Sequence, residues 1–330
     1  MLRPFFSAMF LTLCVVGCTK PVSQKTETNT QTQGQLTAKL ALNWYPEMEH
    51  GGYIAAKTLG LNEQQKVDVE IIPGDPSAPK TVIAELGFER IQFAVSDADN
   101  VIKARAAGLP IVAVMAPLQN SPRCIMVHEA SGITKLEELA NVELAISDSR
   151  PFALWMKKKL PLTNVTMVPF NGLVGEFLVK PNYAQQGYVF SEPFVAKEKG
   201  SDPKVLLVSD IGFNPYASLL VTTQKVIKEQ PQLVQAVVSA SLQGWERYLA
   251  DPATTNATIH EMNKDISPAA LEFGSQAMVS LCKPADGVPA CGMTLERWQT
   301  LVSQIEEIED IPKDSVKASD CFTTEFMTAK

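Results

Sequence analysis

The stretch that organises the chain is Asn43-Trp44-Tyr45-Pro46-Glu47-Met48-Glu49-His50-Gly51-Gly52-Tyr53. It follows a short apolar strand predicted over residues 38–42 and leads into a helical segment that ends near Gly60. The first backbone N–H groups of a helix have no partner inside it and face whatever lies beyond the strand. Gly51 and Gly52 lack side chains, so a ligand could approach the backbone there. The same residues also fit an ordinary turn whose two aromatic rings belong to the core, and spacing alone leaves both interpretations open.

Residues 1–17 have the features of an export signal. Arg3 gives a positive start, and the apolar run that follows is too short to span a bilayer. Val15-Val16-Gly17-Cys18 resembles a bacterial lipoprotein cleavage box, in which the cysteine is acylated and becomes the first mature residue. A plain secretory signal is the alternative. Residues 18–37 are rich in Thr, Gln and Lys and predict a flexible tether, so we expect an exported protein that lipid anchors to the membrane.

Charge and cysteine content restrict the class of protein. The formal net charge is −7 over 330 residues, which argues against a nucleic-acid partner because such partners require a basic surface. Cys282 and Cys291 flank a turn-rich loop, and we expect a disulfide between them, with Cys124–Cys321 as a second pairing. No CxxC or HExxH spacing indicates a metal site, and none is predicted.

The rest of the chain alternates between strands and helices. Strands are predicted over residues 67–72, 93–95, 111–116, 124–127, 142–147, 165–170, 186–190, 205–208 and 218–222. Helices are predicted over residues 77–89, 97–107, 133–139, 152–160, 225–230 and 233–249. This alternation predicts an α/β fold with parallel sheets, whose ligand crevice lies beyond the carboxyl ends of the strands. The organising stretch and Ser96-Asp97 both lie at such ends.

Several short motifs together resemble the substrate-binding components of ABC importers. In chain order they are Asn43-Trp44-Tyr45-Pro46, His50-Gly51-Gly52, Val95-Ser96-Asp97-Ala98-Asp99, Gly108-Leu109-Pro110, Gln119-Asn120-Ser121-Pro122, Phe190-Ser191-Glu192-Pro193, Gly212-Phe213-Asn214-Pro215-Tyr216 and Gly244-Trp245. The resemblance is to the group that includes thiamine pyrimidine-precursor binders and aliphatic-sulfonate and nitrate binders, and it covers about residues 38–260. The opening motif is similar to the Trp-x-Pro-Asn-x-x-His-x-Gly of the pyrimidine-precursor branch, with Glu47 in place of the Asn.

The resemblance implies two α/β lobes of the periplasmic-binding-protein type (type II) that close over a small molecule. We expect one lobe at residues 38–121 and 214–330 and the other at 122–213. The hinge would then lie at residues 119–123 and 212–216, which are turns that carry Asn and Pro. The implied partners are an ABC permease and its ATPase. The implied protein is a monomeric binder without a cofactor.

Side-chain chemistry favours a flat, neutral or weakly cationic heterocycle such as an aminopyrimidine. Aromatic faces can sandwich a ring, carboxylates can accept hydrogen bonds from its amino groups, and amides can read its edges. Several close carboxylates would repel an anion. The predicted ligand-binding residues are Trp44, Tyr45, Glu47, His50, Ser96, Asp97, Gln119, Asn120, Tyr188, Glu192 and Tyr216, with Glu49 and Asp99 as further candidates for the rim.

Three alternatives stay open. A sulfonate, nitrate or riboflavin-type ligand also fits this group of binders. A related enzyme makes the thiamine pyrimidine from a histidine and bound pyridoxal phosphate, which makes His50 a candidate catalytic residue. The chain has no counterpart of the cysteine-rich segment of those enzymes and no GxSxG, P-loop or GxGxxG pattern, so we predict a binder and not an enzyme. A binding module that works without a transporter shares the fold.

Overall fold

A computed structural model describes residues 35–327. The strands are β1 Leu36–Ala41, β2 Val67–Ile72, β3 Phe93–Ser96, β4 Ile111–Met115, β5 Arg123–His128, β6 Glu143–Ala145, β7 Thr166–Val168, β8 Tyr183–Tyr188, β9 Pro203–Leu207 and β10 Leu219–Thr223. The helices are α1 Gly51–Thr58, α2 Leu61–Gln64, α3 Ala78–Gly87, α4 Ala98–Ala106, α5 Pro151–Lys159, α6 Gly175–Val179, α7 Glu192–Glu198, α8 Gln224–Glu229, α9 Pro231–Ala250, α10 Ala253–Met262, α11 Pro268–Leu281 and α12 Leu295–Glu307. Within the described part, no helix combines the length and the apolar character of a membrane span. The predicted export signal, Cys18 and residues 18–34 of the predicted tether lie outside the described residues.

The strands form two five-stranded mixed sheets. The order in the first sheet is β2-β1-β3-β10-β4, and in the second it is β7-β6-β8-β5-β9. β10, the strand predicted at 218–222, belongs to the first sheet and runs antiparallel to both β3 and β4. β5 is antiparallel to β8 and β9, so the expectation of purely parallel sheets was wrong. The direction of a strand depends on how the chain arrives at the sheet, which local hydrophobic pattern does not encode.

Helix α1 packs against α9 through two glycines. A Cβ on Gly52 would lie 2.1 Å from Cγ of Trp245, and a Cβ on Gly51 would lie 2.0 Å from Cε1 of Tyr248. Both distances are far inside van der Waals contact, so a larger residue at either position would separate the helices. These glycines therefore serve the packing of α1 on α9, and the idea that they open the backbone to a ligand was wrong.

Element boundaries differ from the predictions in several places. β1 begins at Leu36, which pairs with Val67, so the expected tether extends two residues too far. β8 begins at Tyr183 and not at 186, because the polar Gln185 is buried within the strand and masks the apolar pattern. The helix predicted over 133–139 is reduced to one 3-10 turn at Leu136–Glu138. Helix α7, which begins with Pro193 in its first turn, was not predicted at all.

The cysteines of the described residues are free thiols. Cys282 and Cys291 are both free, so the expected bridge between them is not formed in the structure. Both are buried in the same apolar cluster. Cys124 and Cys321 are also free and buried, without the second bridge. Burial raises the pKa of Cys291 to about 12. A protonated, buried thiol is a poor nucleophile, and none of the four suggests covalent chemistry.

Candidate functional site

A small cavity lies where the two sheets face each other. Asp97 and Asp99 come from the end of β3 and the start of α4, on the first-sheet side. The second-sheet side contributes Arg123 from β5, Phe152 from α5 and Tyr188 from the end of β8. The complete lining is Asp97, Asp99, Ser121, Arg123, Phe152, Tyr188, Phe213, Pro215 and Ala217. Strand ends of both sheets thus converge on one cleft, as expected for α/β folds.

The cavity is closed down to about 20 Å³. That volume suits about one water molecule, whereas pockets for organic ligands measure about 300–1,000 Å³. The chain crosses between the sheets twice, from β4 to β5 and from β9 to β10. The two crossing segments are tied by a hydrogen bond of 2.8 Å from the backbone N–H of Ser121 to Oδ1 of Asn214. The cavity in this structure is therefore too small to hold a heterocycle.

Ser218 joins the acids of the first-sheet side. Its hydroxyl donates to Oε2 of Glu49 at 2.7 Å, and its backbone N–H donates to Oδ1 of Asp97 at 3.2 Å. Its carbonyl accepts from the Tyr53 hydroxyl at 2.7 Å. Ser218 has a φ of +51°, a left-handed conformation that is unfavourable for a residue with a side chain. Three buried hydrogen bonds hold it there, which fixes Glu49 and Asp97 in relation to the core.

Burial and mutual repulsion raise the pKa values of several of these acids. Burial raises the pKa of Glu47 well above its usual range, and the neighbouring Glu49 and Glu192 carboxylates raise it further. Burial, with help from Asp97, raises the pKa of Glu49 to about 8. Burial and the charge of Asp97 also raise the pKa of Asp99. At neutral pH the cleft therefore carries less negative charge than its number of acids implies.

His50 has a structural role next to these acids. It is fully buried, its Nδ1 accepts from the backbone N–H of Glu47 at 3.3 Å, and its Nε2 lies 2.9 Å from Oδ1 of Asn43. Burial lowers the pKa of His50 to about 3, so the ring is neutral at physiological pH. Since Nδ1 accepts, Nε2 carries the hydrogen and donates to Asn43. Both nitrogens are engaged in shaping the loop that carries Glu47.

The second-sheet side of the cleft combines a cation with aromatic rings. The Arg123 guanidinium carbon lies 4.5 Å from the ring centroid of Phe152 and 4.6 Å from that of Tyr188. Its Nη2 donates to the Tyr188 hydroxyl at 2.7 Å. The carboxylate of Glu192 accepts from the backbone N–H of Tyr188 at 2.8 Å. Burial disfavours the Arg123 cation, but Tyr188 and nearby carboxylates outweigh burial and raise its pKa.

Comparison with known proteins assigns the family. The NMT1/THI5-like family matches residues 47–255. The chain belongs to the NMT1/THI5-like family. The formylaminopyrimidine-binding protein of Halalkalibacterium halodurans is 22% identical over 314 residues, which cover 92% of this chain and 94% of that protein. The 4-amino-5-hydroxymethyl-2-methylpyrimidine phosphate synthase of Legionella pneumophila is 25% identical over 100 residues, 30% of this chain and 31% of that enzyme.

The fold of this NMT1/THI5-like protein is that of the periplasmic binding proteins. The crystal structure of the periplasmic aliphatic sulphonate binding protein SsuA from Escherichia coli superposes with a TM-score of 0.67 at 15% identity. The superposition covers 86% of this chain and 91% of SsuA. The resemblance in the sequence motifs and the two-lobed α/β fold that it implied are both confirmed.

The structure places the predicted site residues in three groups. Asp97 and Tyr188 line the cavity. Glu47, His50 and Glu192 do not line the cavity but lie close to its acids: Glu192 helps to raise the pKa of Glu47, and Nε2 of His50 lies 3.6 Å from Oε1 of Glu49. Ser96 is buried next to Asp97, and its hydroxyl accepts a hydrogen bond from the Asn100 amide. The remaining five do not line it, and they are Trp44, Tyr45, Gln119, Asn120 and Tyr216.

The side chains of the last group have other roles. The Gln119 amide donates to the carbonyls of Ala116 and Gly292 at 2.7 and 2.9 Å, so its hydrogen-bonding capacity serves the backbone. Asn120 is exposed. Tyr216 is buried under the guanidinium of Arg297, and its hydroxyl accepts from Thr294. Trp44 is half-buried, with its ring edge-on to the 44% exposed Tyr45 at a centroid distance of 5.6 Å.

Three important residues of the cleft were missed in the sequence. Arg123 ends the hinge expected at residues 119–123, and Phe152 opens a predicted helix, so neither was proposed as a ligand-binding residue. Ser218 gave no signal because its role depends on an unusual backbone conformation. One sequence cue was available for Arg123: it follows Ser121-Pro122, at the expected crossing between lobes. A cation at that crossing is positioned to reach the cleft from the hinge.

Proposed function

We propose that this NMT1/THI5-like protein is the solute-binding component of an ABC importer that captures a small, flat heteroaromatic molecule. The observation that carries the proposal is the cleft itself. Its second-sheet side offers the rings of Tyr188 and Phe152, and its first-sheet side offers the carboxylates of Asp97 and Asp99. Rings stack on a heterocycle, and carboxylates accept hydrogen bonds from its amino groups. The full-length similarity to a formylaminopyrimidine-binding protein supports the same ligand class.

Capture works by closure of two lobes. We assign residues 38–121 and 214–330 to one lobe and 122–213 to the other, with the crossings near Ser121 and Asn214 as the hinge. The membership of the strands in two separate sheets supports this division. Opening would expose Asp97 and Tyr188 to solvent, and closure over a ring would bury them again. The predicted export signal and Cys18 support an exported protein that is anchored to the membrane by lipid. We propose that it acts as a monomer and delivers its ligand to a permease driven by an ATPase.

A sulfonate or another anion is the second candidate. Arg123 lies in the cleft, and the charge of Arg150 acts on Asp99, so the site contains cations that the count of acids omitted. Guanidinium groups bind sulfonate and phosphate oxygens well. The acids that remain ionised oppose an anion, which leaves the heterocycle as the favoured ligand.

The ligand class is tested by thermal shift and calorimetry on the mature protein. The probes are 4-amino-5-hydroxymethyl-2-methylpyrimidine, riboflavin, taurine and nitrate. We expect the aminopyrimidine to raise the melting temperature by mass action. Tyr188→Ala should weaken its binding by about ten- to hundred-fold, since the variant loses a stacking surface. Phe88→Ala, which removes a 68% exposed ring, serves as the control. A shift with taurine or nitrate alone would support the anion instead.

The enzyme alternative is tested with pyridoxal phosphate. Both ring nitrogens of His50 are occupied by Glu47 and Asn43, and the ring is buried, which leaves no nitrogen to act on a substrate. We therefore expect no Schiff-base absorbance after addition of pyridoxal phosphate and no pyrimidine product. Turnover that depends on His50 would replace the binding proposal by a catalytic one.

A further inference from the structure

Arg123 uses little of its hydrogen-bonding capacity within the protein. A guanidinium carries five N–H donors. Among residues 35–327, the Tyr188 hydroxyl is the one acceptor that the Arg123 guanidinium contacts, and no carboxylate oxygen lies within 4.0 Å of it. By contrast, Arg297 donates from both Nε and Nη2 to the carbonyl of Asn214 at 3.2 and 2.8 Å.

Arg123 lines the cavity together with Asp97 and Asp99. The residue is half-buried, and its guanidinium carbon lies 4.5 Å from the ring centroid of Phe152 and 4.6 Å from that of Tyr188. A guanidinium fixed by two rings has lost much of its side-chain freedom before any ligand arrives. Donors that are fixed and unused next to a cleft are suited to bind an acceptor atom of the ligand.

The two sides of the cleft are therefore complementary to different groups on the ligand. An ionised carboxylate only accepts hydrogen bonds, and a guanidinium only donates them. We infer that Arg123 is a specificity-determining residue: it donates to a carbonyl-type oxygen of a heterocycle whose amino group faces Asp97 and Asp99. The inference rests on the proposed function and narrows it to aminopyrimidines that carry an oxo, formyl or acyl oxygen.

A neutral acceptor suits this arrangement better than an anion. An anionic group that reached Arg123 would also approach Asp97 and Asp99 on the facing side. A carbonyl oxygen receives the hydrogen bond without that repulsion. A ligand without the oxygen would leave the donors of Arg123 unpaired inside a closed cleft, and sites that bind a polar group reject analogues lacking it.

The test uses two ligands that differ in one atom. The 5-acetyl and 5-isopropenyl derivatives of 4-amino-2-methylpyrimidine are similar in size, but the first carries C=O where the second carries C=CH2. Calorimetry should give about ten- to hundred-fold tighter binding of the acetyl derivative to the unaltered protein, as expected for a hydrogen bond from a charged donor. Arg123→Met keeps the apolar stem between the rings and should reduce that preference to less than about three-fold.

Two further variants define the result. Arg90→Met removes an exposed arginine paired with Glu85 and should keep the full preference for the acetyl derivative. Arg123→Lys keeps the charge but not the planar fork, so an intermediate preference is expected. Equal losses for both ligands in Arg123→Met, or no preference in the unaltered protein, would overturn the role of Arg123 while leaving the aminopyrimidine binder intact. Failure of the unaltered protein to bind either ligand would overturn the proposed function and this inference with it.

Discussion

The two sides of the cleft are built on different principles. On the first-sheet side, Glu49 and Asp97 are buried and tied through Ser218 to the core. On the second-sheet side, Arg123 is half-buried and has hydrogen-bonding capacity to spare. The acid side is thus a fixed platform whose charge is set by burial, and the basic side holds the groups that remain available to a ligand. Stability should respond to changes on the first side, and ligand selection to changes on the second.

The largest expected effect concerns the support of the acid side. Trp245 is buried on α9 and packs edge-on against Tyr53 at a centroid distance of 5.8 Å. Tyr53 in turn donates to the carbonyl of Ser218. Trp245→Ala should lower the free energy of unfolding by about 3–5 kcal/mol, because it removes a large buried side chain and leaves a cavity. Urea denaturation followed by circular dichroism measures the change.

Trp44→Ala provides the matched control for this substitution. Trp44 is half-buried and packs on an exposed ring, so its loss should change the free energy of unfolding by less than about 1 kcal/mol. Similar losses in the two variants would show that α9 is not the support of the acid side.

The next effect is a dependence of stability on pH that comes from Glu49. Its pKa is raised from 4.5 to about 8 in the folded protein, so the folded state holds a proton that the unfolded state has released in this range. Stability therefore falls as pH rises from about 4.5 through 8. We expect a loss of about 1–3 kcal/mol between pH 6 and pH 9, in part from Glu47, whose pKa is raised as well.

Glu49→Gln isolates this contribution. The amide oxygen can still accept from the Ser218 hydroxyl, but the side chain no longer ionises. The variant should be more stable than the unaltered protein at pH 9 and should show a flatter profile between pH 6 and pH 9. The decline of stability at acidic pH should not change, because it comes from groups other than Glu49. One of them is His50, whose pKa is lowered to about 3 and whose effect appears as pH falls below about 6.5. Parallel alkaline profiles would contradict a protonated Glu49.

The same contrast explains how much of the molecule was predictable. Most strands and helices could be predicted from the sequence, because hydrophobic periodicity and helix-capping residues are local signals. The acids of the first side stand in the short motifs around Glu47 and Asp97, so they could be recognised. Arg123 and Phe152 lie 29 residues apart and meet through the tertiary fold alone. No local pattern brings such residues together.

The positions of the predicted residues that do not line the cavity have physical causes of the same kind. The amide of Gln119 was expected to hydrogen-bond to the edge of the ligand ring. It donates instead to the backbone carbonyls of residues 116 and 292, which would otherwise lack donors. Tyr216 looked like a stacking face, but its ring became the platform for Arg297 within the core. Residue type indicates what a side chain can do. Whether it does so in a site depends on which unpaired groups the fold places next to it.

The smallest effect concerns an aromatic contact between helices α7 and α11. Phe194 on α7 and Phe273 on α11 stack with ring centroids 4.7 Å apart and an interplanar angle of 23°. α7 belongs to the second-sheet side, and α11 packs on the turn that carries Glu49, since Met48 fills the space beside Gly274.

Phe273→Ala should destabilise the closed form by about 0.5–1.5 kcal/mol, as expected for the loss of an aromatic pair. If the two lobes open and close as proposed, the pair contributes only to the closed form. The loss should then appear as a three- to ten-fold faster release of the aminopyrimidine, with the free energy of unfolding changed by less than about 1 kcal/mol. Stopped-flow displacement measures the release, and Phe88→Ala, which removes another exposed ring, is the control. An unchanged release rate with a lowered melting temperature would mean that the stack serves the stability of one lobe and not closure.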